Sequence, residues 1–290
     1  MVNLRGGRRA ERMAVCMRGL AIFALAMILL GLSNAHAEPE VKIATVGNVQ
    51  LEYLDMGAGE LNIVIESGVG AGLSYWRPLL PELAGLNQRV IIYSRAGNGK
   101  SSEGQDLSLK PSVVRLHALL NALNANKSLV LVGHSYGGLH VREYAHTYPE
   151  EVSSLVLLDP SHERFAKELV RLDRAWAERD AKKLNVMLSD SQEWASLQGV
   201  YQRGQISDMG AINSIPTVIV TSSQLGESDW WIGHSKQGKA IMRRLHGSLI
   251  TENPNSIHIV SSRTGHNVPL DAIFLSIKAI KRGVELIDGL

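Results

Sequence analysis

From Val41 onward, short β-branched and aliphatic runs alternate with segments in which apolar residues recur at helical spacing. The runs predict strands at Val41 to Val46, Gln50 to Met56, Leu61 to Glu66, Arg89 to Ser94, Ser128 to Val132, Ser154 to Leu158, Thr217 to Thr221 and Ser256 to Val260. Helical periodicity appears at Pro111 to Leu123, Leu139 to Tyr148 and Asp271 to Arg282. Strands alternating with helices predict an α/β fold, a mostly parallel eight-stranded sheet with helices on both faces. The second run alternates, with Leu51 and Tyr53 flanking Glu52, and reads as an antiparallel edge strand. The later runs are continuously apolar, as strands covered on both faces require.

One gap breaks the rhythm. Pro160 to Pro216 is over fifty residues, far longer than a crossover of one helix. Its Leu169, Leu172, Trp176, Val186, Met187, Trp194 and Leu197, set among many charges, predict two or three amphipathic helices buried on the edge of the sheet. The segment, about 160–215, leaves the carboxyl end of a parallel strand, where open α/β sheets bind ligands, so it reads as a cap over a substrate pocket rather than a plain structural excursion.

The first 37 residues stand apart. Arg5, Arg8, Arg9, Arg12 and Arg18 precede the apolar run Gly19 to Leu32, which ends in small residues around Ala35-His36-Ala37. That is the layout of a secretory signal peptide. The run is about fourteen residues, short of the roughly 20 a spanning helix needs, so cleavage is expected rather than a retained membrane anchor. The expected mature domain is 38–290, secreted or periplasmic, with no stable membrane span.

The whole chain carries 30 Lys and Arg against 28 Asp and Glu, but without residues 1–37 the balance is 25 to 27. A near-neutral surface with no basic cluster gives nucleic acid nothing to hold. The single cysteine, Cys16, leaves with the signal, which excludes thiol chemistry and disulfides from the mature domain. Nothing in the pattern specifies an oligomeric state.

The candidate chemistry centres on Leu129-Val130-Leu131-Val132-Gly133-His134-Ser135-Tyr136-Gly137-Gly138, an apolar strand entering Gly-x-Ser-x-Gly and then a helix. Glycines two residues either side of the serine permit a turn sharp enough to hold Ser135 strained and exposed, the nucleophile elbow. Gly99-Lys100-Ser101 does not complete a phosphate-binding loop, because Ser94 stands where that motif needs glycine.

With the elbow in place, the sequence from about Val41 to the C-terminus resembles the α/β-hydrolase superfamily. Two further segments carry the likeness. Glu66-Ser67-Gly68-Val69-Gly70, followed by Trp76, looks like the loop after the third strand, although Ser67 stands where many relatives have His. Arg95-Ala96-Gly97-Asn98-Gly99-Lys100-Ser101 looks like the Arg-x-Gly-x-Gly-x-Ser segment after the fourth, with Ser94 where many relatives have Asp.

The resemblance implies a serine nucleophile at Ser135 and a general base at His266, in the Gly265-His266 loop after the last strand. It implies an oxyanion hole from the backbone N–H groups of Tyr136 and Val69. The other histidines have weaker claims: His36 lies in the signal, His258 within a strand, and His134, beside the nucleophile, reads as structural. The triad acid has three candidates. Asp159 ends the sixth strand, as in some lipases, though it could simply cap the turn at Pro160, while Asp229 and Glu227 come a few residues late in the loop after the seventh, the commoner location. The implied reaction is acyl transfer from a small-molecule ester to water, with no external cofactor or metal. Amides, lactones and peptides are the enzymatic alternatives, and a non-catalytic binding protein is the other class. A serine at the elbow argues against epoxide and haloalkane hydrolysis, which use a carboxylate there. Trp76, Trp230 and Trp231 are candidates for either a pocket wall or packing.

Overall fold

The computed structural model describes residues 39–207, 210–226 and 230–288. Among the described residues eight strands form one sheet: β1 (Lys42–Val46), β2 (Val49–Met56), β3 (Asn62–Glu66), β4 (Arg89–Tyr93), β5 (Leu129–His134), β6 (Val152–Leu158), β7 (Thr217–Ser222) and β8 (Ser256–Ser261). Their spatial order is β1-β2-β4-β3-β5-β6-β7-β8. β2 pairs antiparallel with β1 and β4, and every pairing from β4 to β8 is parallel.

The helices are α1 (Leu80–Ala84), α2 (Leu109–Ala122), α3 (Gly137–Thr147), α4 (Phe165–Leu172), α5 (Arg174–Met187), α6 (Gln192–Arg203), α7 (Lys236–Ser248), α8 (Val268–Asp271) and α9 (Ile273–Asp288). Among the described residues no helix is long and apolar enough to cross a membrane.

Alternate residues of the central strands feed two cores. Leu129, Leu131, Leu155 and Leu157 pack with Val113, Leu116 and Leu120 of α2 and Val141 and Tyr144 of α3. Val130, Val132, Val156 and Leu158 face the other way, onto Leu79, Leu83 and the α9 residues Ile277 and Ile280. Burial on both faces explains why β3 to β7 read as unbroken apolar runs. Two expectations need correction. β2 is not an edge, because β1 covers its outer side, and the polar residue of its alternation, Glu52, is buried and accepts from Ser94 Oγ at 2.6 Å. β8 is parallel but forms the far edge and is only half-buried.

Between β6 and β7 the chain makes α4, α5 and α6. The side chains of Asp173 and Ser191 cap α5 and α6 by accepting from the N–H groups of Trp176 and Trp194, and Gly204, at a φ of 72°, closes α6. Leu169 and Leu197 are buried as expected, whereas Leu172, Val186 and Met187 are exposed. On α5 and its C-cap the inward stripe is Ala177, Ala181, Leu184 and Leu188, at helical spacing, and Val186 and Met187 fall off it. These helices rest on α7, where Phe165, Leu169 and Ala177 meet Met242 and Leu245, and on the start of α3, where Leu197 and Val200 meet Tyr136 and Leu139.

Candidate active site

The parallel strands end at one edge of the sheet, so the loops after β3, β5, β6 and β8 converge. β5 runs straight into α3 through Ser135, whose φ of 53° lies in the left-handed region, a conformation that costs a non-glycine residue about 1–3 kcal/mol. The turn is closed too tightly for side chains on either flank. A Cβ at Gly133 would sit 2.7 Å from the Gly137 carbonyl oxygen, and one at Gly137 would sit 2.3 Å from that of Glu66. The Ser135 carbonyl accepts from the N–H groups of Gly138 (2.9 Å) and Ser161 (2.8 Å), which ties the elbow to the loop after β6.

His266 follows β8. Its Nε2 lies 2.9 Å from Ser135 Oγ and its Nδ1 lies 2.7 Å from Asp159 Oδ2. A carboxylate can only accept, so Nδ1 carries the proton and Nε2 is left to accept from the serine hydroxyl. Asp159 is buried at the end of β6, with a φ of 43°. Its N–H donates to Val220 O at 2.7 Å. Oδ1 accepts the Ser222 N–H and Oδ2 the Ser222 hydroxyl, both at 2.8 Å. Burial pushes this carboxyl up, but the His266 hydrogen bond and the nearby His266, His246 and Lys239 outweigh it and hold Asp159 below the usual carboxylate range. Ser135, His266 and Asp159 are thus brought together as one hydrogen-bonded chain. Glu227 and Asp229, like residues 1–37, lie outside the described residues.

Two residues to which the sequence assigned no catalytic part support this arrangement. His134 is buried, stacks on Tyr75 and bonds the His266 carbonyl through Nε2 at 2.9 Å, which fixes the backbone of the histidine loop. Burial lowers its pKa to about 3, so the ring is neutral. Lys239 of α7 donates to Ser222 Oγ at 2.6 Å, behind the carboxylate. Burial pulls its pKa down and Asp159 pulls it up, with burial the larger. No motif announces a lysine on a polar helix as a neighbour of the acid.

The Gly68–Val69 segment packs beside the serine, since a Cβ on Gly68 would come 3.3 Å from Ser135 Cβ. Ser67, in the place where many relatives have His, accepts from Trp76 Nε1 at 2.9 Å. Trp76 is therefore core, while Trp230 and Trp231 line a cavity of about 490 Å³. Ser135, His266, Gly68 and Val69 reach that cavity, and its walls are mostly apolar side chains of α4, α5, α6 and α7, including Leu169, Leu197 and Met242. Among the described residues no three His, Cys, Asp or Glu side chains gather in a way that could hold a metal ion.

A family model for the alpha/beta hydrolase fold matches residues 62–207, from β3 through α6. The chain belongs to the alpha/beta-hydrolase family. It is 34% identical over 114 residues to cis-3-alkyl-4-alkyloxetan-2-one decarboxylase of Shewanella oneidensis, a match covering 38% of this chain and only 35% of that relative's length. The fold is also that of a thermophilic esterase from Thermogutta terrifontis, at 19% identity and a TM-score of 0.57, over 86% of this chain and 99% of that one. A bacterial membrane phospholipase A shares it at 17% identity and a TM-score of 0.63, over 98% of this chain and all of that one. Family and relatives together support a hydrolase.

Proposed function

We propose that this chain is a secreted or periplasmic serine hydrolase that cleaves carboxylic esters through an acyl-enzyme. The observation that carries this reading is the Asp159–His266–Ser135 hydrogen-bonded chain reaching a largely apolar cavity. In the proposed reaction Ser135 Oγ attacks the ester carbonyl as His266 Nε2 takes its proton. Asp159, ionised, holds Nδ1–H in place and stabilises the imidazolium. The oxyanion is held by the N–H groups of Val69 and Tyr136, donors worth about 10²–10³-fold each in acyl transfer. His266 then protonates the departing alcohol, and water attacks the acyl-enzyme with the same imidazole as base.

The apolar walls suit an uncharged aliphatic or aryl acyl group. The test is hydrolysis of p-nitrophenyl esters from acetate to palmitate by residues 38–290 and by the Ser135→Ala variant. Turnover that depends on Ser135 is expected. Ester turnover equal in the two proteins would overturn the assignment of the nucleophile.

A further inference from the structure

The loop carrying Val69 is held by an ion network that reaches into the inserted helices. Arg95, buried just after β4, donates through Nη1 to Glu66 Oε2 (2.6 Å) and Ser67 O (2.8 Å), and through Nη2 to Gly68 O (2.8 Å). Its Nε donates to Oε1 of Glu193, in the first turn of α6, at 2.6 Å, and Nη2 to Oε2 at 3.0 Å. The same Oε2 accepts the Gly70 N–H at 2.9 Å.

The Gly68 carbonyl and the Val69 N–H belong to one planar trans peptide and point in opposite directions. Anchoring the carbonyl on Arg95 therefore aims the N–H away from the arginine. Glu193 holds the following N–H, that of Gly70, and so blocks rotation of the loop from the other end. Arg95 cannot leave, because burial leaves it no solvent and two carboxylates share it.

From this geometry we infer that Glu193 and Arg95 are positioning residues for the Val69 N–H, so that the inserted helices complete the oxyanion hole when α6 is docked. This rests on the serine-hydrolase reading and adds a task for the insertion beyond enclosing substrate. Glu193 touches neither Ser135 nor His266 through any of these bonds, so its effect must pass through the loop.

The experiment compares wild type with Glu193→Ala and the near-isosteric Glu193→Gln, on a carbonyl ester and its thionoester. Sulfur accepts hydrogen bonds poorly, so the ratio of the two rates reads the oxyanion donors rather than general integrity. For Glu193→Ala the expected result is a kcat about 10–100-fold lower with little change in KM, given the sensitivity of such donors to placement. The preference for the carbonyl ester over the thionoester should fall with it. Glu193→Gln, which keeps one acceptor, should lie between. A lowered kcat with the wild-type ratio, or an unchanged kcat in both variants, overturns the inference while leaving the hydrolase reading intact. Wild-type turnover that survives Ser135→Ala removes the reading of Ser135 as the nucleophile, and the inference with it.

Discussion

Replacing Asp159 by Asn keeps the shape of the side chain and removes one property, the ability to accept at both oxygens. In the native site Oδ1 faces the Ser222 N–H at 2.8 Å, a backbone donor that cannot reverse. The Asn carbonyl must take that position, because an NH2 there would meet a donor. The NH2 then faces His266 Nδ1, which accepts at 2.7 Å in place of donating. The imidazole proton moves to Nε2, toward Ser135 Oγ, and the ring can no longer take the serine proton. A tautomer error of this kind costs about 10³–10⁴ in kcat, or about 4–5.5 kcal/mol of barrier.

The stability cost is smaller. One charge-assisted bond is lost and Ser222 Oγ gains a second donor beside Lys239, a penalty of about 1–3 kcal/mol. Steady-state hydrolysis of a p-nitrophenyl ester, run beside a thermal melt, separates the two effects. A folded Asp159→Asn protein with turnover within about threefold of wild type would refute the reasoning and move the search for the acid to Asp229 and Glu227.

Other perturbations probe the surroundings. Lys239→Met removes the donor to Ser222 Oγ from behind Asp159, so kcat should fall several-fold with KM little changed; an unchanged kcat would make Lys239 a packing residue. Burial lowers the pKa of His134, His140 and His162 to about 3 and that of His246 to about 4. These rings stay neutral in the fold but protonate when unfolded below about 6.5. The unfolded chain therefore binds more protons between those values, and stability should fall as pH drops from 6.5 toward 4, by up to about 1.4 kcal/mol per unit for each histidine. A melting temperature that is flat from pH 7 to 4.5 would contradict this. Ala166→Phe, on the cavity wall, should shorten the preferred acyl chain in an ester series, and an unchanged profile would mean the acyl group lies elsewhere.

What could be read in the chain depended on whether a local pattern carried the signal. β3 to β7 are doubly covered, and their apolar runs disclosed them. The elbow announced itself because its glycines meet backbone at Gly137 and Glu66, a demand that only this residue type satisfies. His266 was legible from its place after the last strand. The helix α7 was not, since Lys236-Gln237-Gly238-Lys239 and Arg243-Arg244 interrupt its apolar spacing; it buries Lys239 and His246 alongside Met242 and Leu245. Glu193, Arg142 and Asp180 are likewise buried charges that composition assigns to the surface. Asp159 is set apart from the other carboxylates by Ser222 and His266, partners 63 and 107 residues away, and no local pattern encodes such a distance.

The central claim is that Ser135 is an activated nucleophile. A fluorophosphonate probe, applied to residues 38–290 and followed by intact-protein mass spectrometry and peptide mapping, reads this directly. One label per chain on Ser135, abolished in Ser135→Ala and strongly slowed in His266→Ala, is the predicted result. A folded protein that takes no label, or takes it equally without Ser135, would contradict the account.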